Sequence, residues 1–272
     1  MIYTNCWIGL GAAAFTWQYY LIFDLEVNYA VIYFAFFATI LTYTFQRYVK
    51  LVNRTQVNNE RLQWMQRNDL LVKAMMIVST AGCLKALYEF NLATYAVLFF
   101  SGLLSLFYII RLPGKVGKNL RDIPNLKIYL IAIVWASTST FLPYLNHGVE
   151  GLPIPWLLFI TNFIFIIAIT IPFDIRDLHL DEAEKKTIPQ LVGVNNAILI
   201  SVVLLAINIP LLIFISSYFL WVSLVSLLSA IALVIGSRKY TNDLYFSFFV
   251  DGLLILQPVL LYLDIRYLEH LV

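Results

Sequence analysis

Charge is scarce in this chain. Only 12% of its 272 residues are Asp, Glu, Lys or Arg, about half the roughly 25% of a soluble domain. The formal net charge is +2, too small to support a nucleic-acid reading. Cysteine is scarcer still. Cys6 and Cys83 both lie in apolar runs. Neither has a His or Cys partner at metal spacing, and no disulfide framework is implied; both read as small buried apolar residues. The histidines His147, His179 and His270 are scattered. HExxH, P-loop, GxSxG and dinucleotide fingerprints are all missing, and no nucleophile–base pair is evident. There is no Pro/Ser-rich linker, low-complexity tail or internal repeat, so residues 1–272 read as one domain. Ala12-Ala13-Ala14 resembles a signal-cleavage site superficially. No basic stretch precedes it and the apolar run continues past it, so an uncleaved first span is expected.

Apolar side chains are what the chain has in excess, at 61%. A membrane span needs about 20 largely apolar residues. Nine runs qualify, near 4–23, 28–46, 70–88, 91–110, 127–145, 154–173, 191–208, 216–236 and 244–263. The expected fold is an all-α, polytopic membrane bundle of about nine transmembrane helices. Residues 191–236 are almost continuously apolar, and Pro210 with Ser216-Ser217 marks the best break between the seventh and eighth spans.

The few charges are placed with a bias. The 2–3 loop holds Arg47, Lys50, Arg54, Arg61 and Arg67, and the 4–5 loop holds Arg111, Lys115, Lys118, Arg121 and Lys127. Arg176, Lys185 and Lys186 lie in the 6–7 loop, and Arg238 and Lys239 in the 8–9 loop. With nine spans all four loops share one side, and the other side carries Arg266 with Asp24, Glu26, Glu89 and Glu150. The positive-inside rule then puts the N-terminus in the cytoplasm and the C-terminus outside, across the inner membrane if the cell is bacterial. Asn53–Asn68 is polar and lacks Pro and Gly. It is expected to form a helical excursion with Trp64 and Met65 against the membrane interface. The 4–5 loop, with Pro113-Gly114, Gly117 and Pro124, reads as irregular.

Three stretches could carry chemistry. Asp174, Asp177 and Asp181 follow the sixth span directly. On a helix they project at about 0°, 300° and 340°, on one face, with Arg176 turned away at about 200°. Acids at a membrane edge are costly unless used. A divalent metal such as Mg²⁺, which takes one or two carboxylates plus substrate phosphates, would use them. Arg47, Lys50 and Arg54 repeat the same spacing at the end of the second span, led by Thr42, Thr44 and Gln46. These cations could hold a diphosphate directly, or act as snorkelling anchors. Lys115, Lys118, Arg121 and Lys127 are a third phosphate candidate, or a topology signal. Within the spans lie Asp251, Gln257, Lys85 and Asn162, and intramembrane ionisable groups often mark function. Lys85 could instead snorkel outward beside Glu89.

The segment Phe173-Asp174-Ile175-Arg176-Asp177-Leu178-His179-Leu180-Asp181, followed by Lys185-Lys186-Thr187-Ile188-Pro189 and Gly193, resembles the second aspartate-rich motif of the UbiA superfamily of intramembrane prenyltransferases. The resemblance extends to the count of nine helices and to the cytoplasmic placement of the motif. It implies a polyprenyl diphosphate bound through Mg²⁺ and ionised to an allylic cation. A hydrophobic or aromatic acceptor then captures the cation inside the bundle. It implies Asp177 and Asp181 as catalytic metal ligands with Asp174 assisting, and Lys127 or Arg121 in contact with diphosphate. Arg47, Lys50 and Thr44 join the substrate-binding candidates. Aromatics, 16% of the chain, could stabilise the cation, though most belong to lipid-facing packing.

The first motif departs from the pattern. The family has Asn and Asp residues at the end of the second helix; this chain reads Thr42-Tyr43-Thr44-Phe45-Gln46-Arg47-Tyr48-Val49-Lys50, without an acid. Two explanations stand: direct diphosphate binding by Arg47 and Lys50, or loss of catalysis. The classes left open are a prenyl transferase or terpene cyclase, a non-enzymatic lipid-binding or partner protein of the same fold, and a small transporter.

Overall fold

The computed structural model describes residues 2–52, 60–109, 123, 126–148, 155–178, 186–215, 220–240 and 242–269, leaving aside the side chains of 109, 220 and 266–269. All its regular structure is helical. The long apolar helices are α1 (Cys6–Ile22), α2 (Tyr29–Val52), α4 (Asp69–Leu87), α5 (Leu92–Ile109), α6 (Leu126–His147), α7 (Trp156–Arg176), α9 (Val194–Ile215), α10 (Leu220–Gly236) and α11 (Asp251–Glu269). Two short helices, α3 (Glu60–Arg67) and α8 (Ile188–Val192), lie between them. A π-helical turn, Tyr245–Val250, runs straight into α11.

Six segments are long and apolar enough to cross a membrane: α2, α4, α6, α7, α9 and Tyr245–Ile265. Their outer faces require hydrocarbon as solvent. In the most apolar stretch of α9 only 22% of the residues are buried, and Leu70, Ile77, Leu92, Phe99, Phe214 and Trp221 are exposed. So large an apolar exterior is stable in lipid and not in water. The chain is a multi-pass helical membrane protein.

α1, α6, α7, α9, α10 and α11 share the main core, and α2 packs on α1 and α4, with a second cluster around Val31, Ala86, Phe90 and Leu142. α1 is central, touching α2, α6 and α11. Its small residues permit this. A Cβ on Gly9 would meet Ile40 of α2 at 2.9 Å, and one on Gly11 would meet Leu254 of α11 at 3.2 Å. Small residues are how membrane helices approach closely, and Ala12 is buried beside these two glycines. α1 and α11 run parallel: Trp7 stacks on Phe248, and Trp17 packs on Tyr262.

The loops sort to two ends. At one end Tyr3 meets Glu60, Arg61 meets Asp243, Arg176 meets Asp243 and Lys127 meets Asp174. These contacts gather the N-terminus, α3, and the chain around residues 127, 176 and 243 on one face. At the other end Asn91 bonds Leu145 and Asn146.

Three local expectations are revised. α9 continues through Pro210 to Ile215, because the apolar run continues and a membrane helix tolerates one missing backbone bond. α3 folds onto the protein instead of resting in the interface: Leu62 and Met65 are buried with Val72 against Tyr48, Leu51 and Trp64. α7 stops at Arg176, with Asp177 in the capping turn at φ −85°, ψ 3°. One continuous helix therefore does not carry the acids in line, and Asp181 lies outside the described residues. The 4–5 loop lies almost wholly outside them as well.

Candidate functional site

The charged end of the bundle is organised by Asp243, just before the π turn. Its carboxylate accepts from Arg61 of α3 and, at 3.0 Å, from Arg176 Nη1 of α7. Arg61 also donates to Ser247 in the π turn. Arg176 forks onto its neighbour Asp177, with Nε to Oδ1 at 2.7 Å and Nη2 to Oδ2 at 3.1 Å. Its guanidinium lies 5.2 Å from the Phe173 ring and 5.3 Å from the Phe246 ring. The aromatic contacts and the fork together hold its plane in place.

A second set of bonds fixes Arg47. Asn5 caps α1 in the left-handed region at φ 59°, a conformation asparagine tolerates. Its buried amide accepts from Arg47 Nη1 and donates to Thr44 Oγ1 at 2.9 Å. Arg47 is half-buried. Asp251 is also half-buried, one residue past the π turn. It lies within electrostatic reach of Arg47, Arg61, Arg176 and Asp243. Trp7 donates its indole N–H to the Phe248 carbonyl inside that turn, at 2.9 Å. π turns concentrate at functional sites because they re-aim the residues beside them.

Below the charges lies an apolar cavity of about 420 Å³ between α1, α2, α5 and α6. Ala35, Leu98, Leu106, Val134 and Trp135 supply apolar wall, with hydroxyls from Thr16, Thr39, Thr42, Ser101 and Ser105. A smaller cavity of about 140 Å³ adjoins it and adds Gln46, Tyr108 and Ile131. Tyr43 lines both. Its phenol is within hydrogen-bonding reach of the Trp135 indole and feels the charges of Asp251 and Arg47, and the Arg47 guanidinium lies 6.0 Å from its ring centre. Tyr43 thus joins an apolar chamber to the Arg47 guanidinium.

The structure disperses part of the expected site and assembles another. Asp174 is buried on α7, and its Oδ1 pairs with Lys127 Nζ of α6 at 2.6 Å. Asp177 pairs with Arg176. Thr44 is buried and bonded to Asn5, outside the cavity wall that Thr39 and Thr42 form. Lys50 is half-buried one turn beyond Gln46. Arg121, Arg54 and Asp181 fall outside the described residues. Among the described residues no three His, Cys, Asp or Glu side chains are placed to hold a metal ion. Asp174 and Asp177 are committed to cations, so the described donors do not fit a Mg²⁺ site as they stand. Asn162 is structural, donating to Ser139 at 3.0 Å and Thr140 at 3.1 Å. Lys85 is exposed on α4, as a snorkelling cation would be.

Sequence reasoning missed Asn5, Arg61 and Asp243 as site residues. Asn5 gave no signal, and Arg61 read as one of many basic loop residues. Asp243, an acid in a basic loop next to the Asp251 span, was the available hint. Comparison of the chain with protein-family models, curated proteins and solved structures finds no match.

Proposed function

We propose that this chain is a UbiA-like membrane protein of nine spans that receives a polyprenyl diphosphate and transfers the prenyl group to a hydrophobic or aromatic acceptor. The carrying observation is the junction at Tyr43, which lines an apolar cavity of about 420 Å³ and carries the Arg47 guanidinium 6.0 Å from its ring centre. That volume lies in the range of small-molecule sites, roughly 300–1,000 Å³. Hydrocarbon fits the walls and a diphosphate fits the charged end. Apolar walls exclude water from an allylic cation, and guanidiniums offset charge building on the departing diphosphate. The parallel pairing of α1 with α11 supports an odd number of spans. The gathering of basic loops at one end supports a cytoplasmic site and N-terminus. Gly193, at φ +80° directly before α9, sits where the resemblance puts a helix-opening glycine. Mg²⁺ belongs to the same proposal only through Asp181 and an Asp177 released from Arg176, and the reading stands without a resident metal.

A second reading, a lipid-binding protein of this fold without catalysis, is favoured by the pairing of Asp174 and Asp177 with cations. One experiment separates the two. The purified chain in nanodiscs is incubated with polyprenyl diphosphates of graded length, with and without Mg²⁺, while inorganic diphosphate and prenylated product are followed. Release coupled to an alkylated product supports transfer. Binding without release is the signature of the lipid-binding protein. Neither binding nor release at any chain length sinks both.

A further inference from the structure

The groups that crowd the head of the cavity are arginines from three sequence-distant elements. Arg47 comes from α2, Arg61 from α3 and Arg176 from α7, and all three lie within electrostatic reach of the Asp251 carboxylate. Arg47 is the telling member. It is half-buried, and its guanidinium lies 6.0 Å from the ring centre of Tyr43, which lines the cavity. It hydrogen-bonds the neutral amide of Asn5 and makes no ion pair with a described carboxylate. Arg61 is close enough to oppose its charge. Two guanidiniums held together away from bulk water repel unless an anion compensates them. Asp243 bonds Arg61 and Arg176, and Asp251 lies within electrostatic reach of all three arginines.

We propose that Arg47, Arg61 and Arg176 form a seat for a phosphoanion that binds the diphosphate head group of a lipid directly, without a divalent cation. The inference rests on the prenyl-diphosphate reading and deepens it by naming the head-group contacts. Guanidinium forks match phosphate oxygens, Asp243 and Asn5 pre-set their directions, and Tyr43 hands the seat on to the apolar chamber. In the ligand-free protein Asp251 stands in for the phosphate charge; the arriving diphosphate takes over that role. Asp251 therefore opposes binding, the reverse of what a metal-ligating carboxylate would do.

The test is calorimetric titration of the full chain in zwitterionic nanodiscs with farnesyl diphosphate, inorganic pyrophosphate and farnesol, each in EDTA and in Mg²⁺. Farnesyl diphosphate is expected to bind in EDTA nearly as well as in Mg²⁺, and more tightly than either the head or the tail alone. Arg47→Gln is expected to weaken it at least about tenfold, the loss of one charge-assisted contact, and Arg47→Lys by less. Asp251→Asn is expected to tighten it several-fold. Binding abolished by EDTA in the unmodified protein overturns the seat while leaving the prenyl-diphosphate reading intact. Weaker binding by a folded Asp251→Asn variant overturns it as well. Pyrophosphate binding as tightly as farnesyl diphosphate would make the ligand a free phosphate and refute the lipid source. No farnesyl diphosphate binding in either buffer refutes the prenyl-diphosphate reading itself.

Discussion

Replacing Asp174 with alanine is expected to destabilise the protein severely, and the size of the loss distinguishes an ion pair from a metal ligand. The Asp174 side chain is 3% exposed and that of Lys127 14%, with 2.6 Å between Oδ1 and Nζ. Removing the carboxylate breaks the pair that ties α6 to α7. Breaking a buried pair on one side costs about 3–5 kcal/mol. For a chain of this length each kcal/mol moves Tm by about 2–4 °C, which puts the variant roughly 6–20 °C below the parent. Changing both residues, Asp174→Leu with Lys127→Met, removes both charges of the pair. Such double replacements are often close to neutral, so the double variant is expected to recover most of the loss. Tryptophan fluorescence on heating in detergent reads all forms. A single-variant Tm within about 2 °C of the parent would refute the buried-pair reasoning. If that same variant lost Mg²⁺-dependent diphosphate release while keeping its Tm, Asp174 would be a metal ligand after all.

Gly102 lines the cavity, and a Cβ there would meet nothing within 4 Å. Gly102→Leu is therefore expected to keep or slightly raise Tm, since glycine costs a helix about 1 kcal/mol. It should also weaken farnesyl diphosphate binding and spare pyrophosphate; unchanged lipid affinity would show that the tail lies elsewhere. At Gly82 a Cβ would fall inside the Phe37 ring, so Gly82→Ala is expected to cost about 1–3 kcal/mol by forcing α4 from α2. A neutral result by thermal unfolding would refute that close approach. Asn162→Leu removes two bonds from α7 to α6 and is expected to cost about 1 kcal/mol. Diphosphate release at saturating substrate should change little, because Asn162 does not line the cavity.

Membrane character was legible from composition and runs alone. Hydrocarbon cannot bond exposed backbone groups, so spanning segments must be helical, long and apolar, and those properties are local to each run. The acidic stripe at 174–181 was legible as a place of interest for the same reason: charge beside a span stands out. Its partners were not. Helix periodicity aligned Asp174, Asp177 and Asp181, but α7 ends at Arg176, and the helix angle placed Arg176 away from the acid it bonds. Asp251 was visible as an intramembrane acid, although nothing local revealed three arginines around it.

What the sequence determined by itself is the solvent of this protein and the number of its apolar runs, because hydropathy acts residue by residue along the chain. What only the tertiary structure decided is which charges meet. Arg61 and Asp243 lie 182 positions apart, and each alone reads as an ordinary loop charge. They become a site because α1 packs beside both α2 and α11. Coulomb forces act over ångströms in space, and the order of residues along a chain does not encode those distances until the helices have packed.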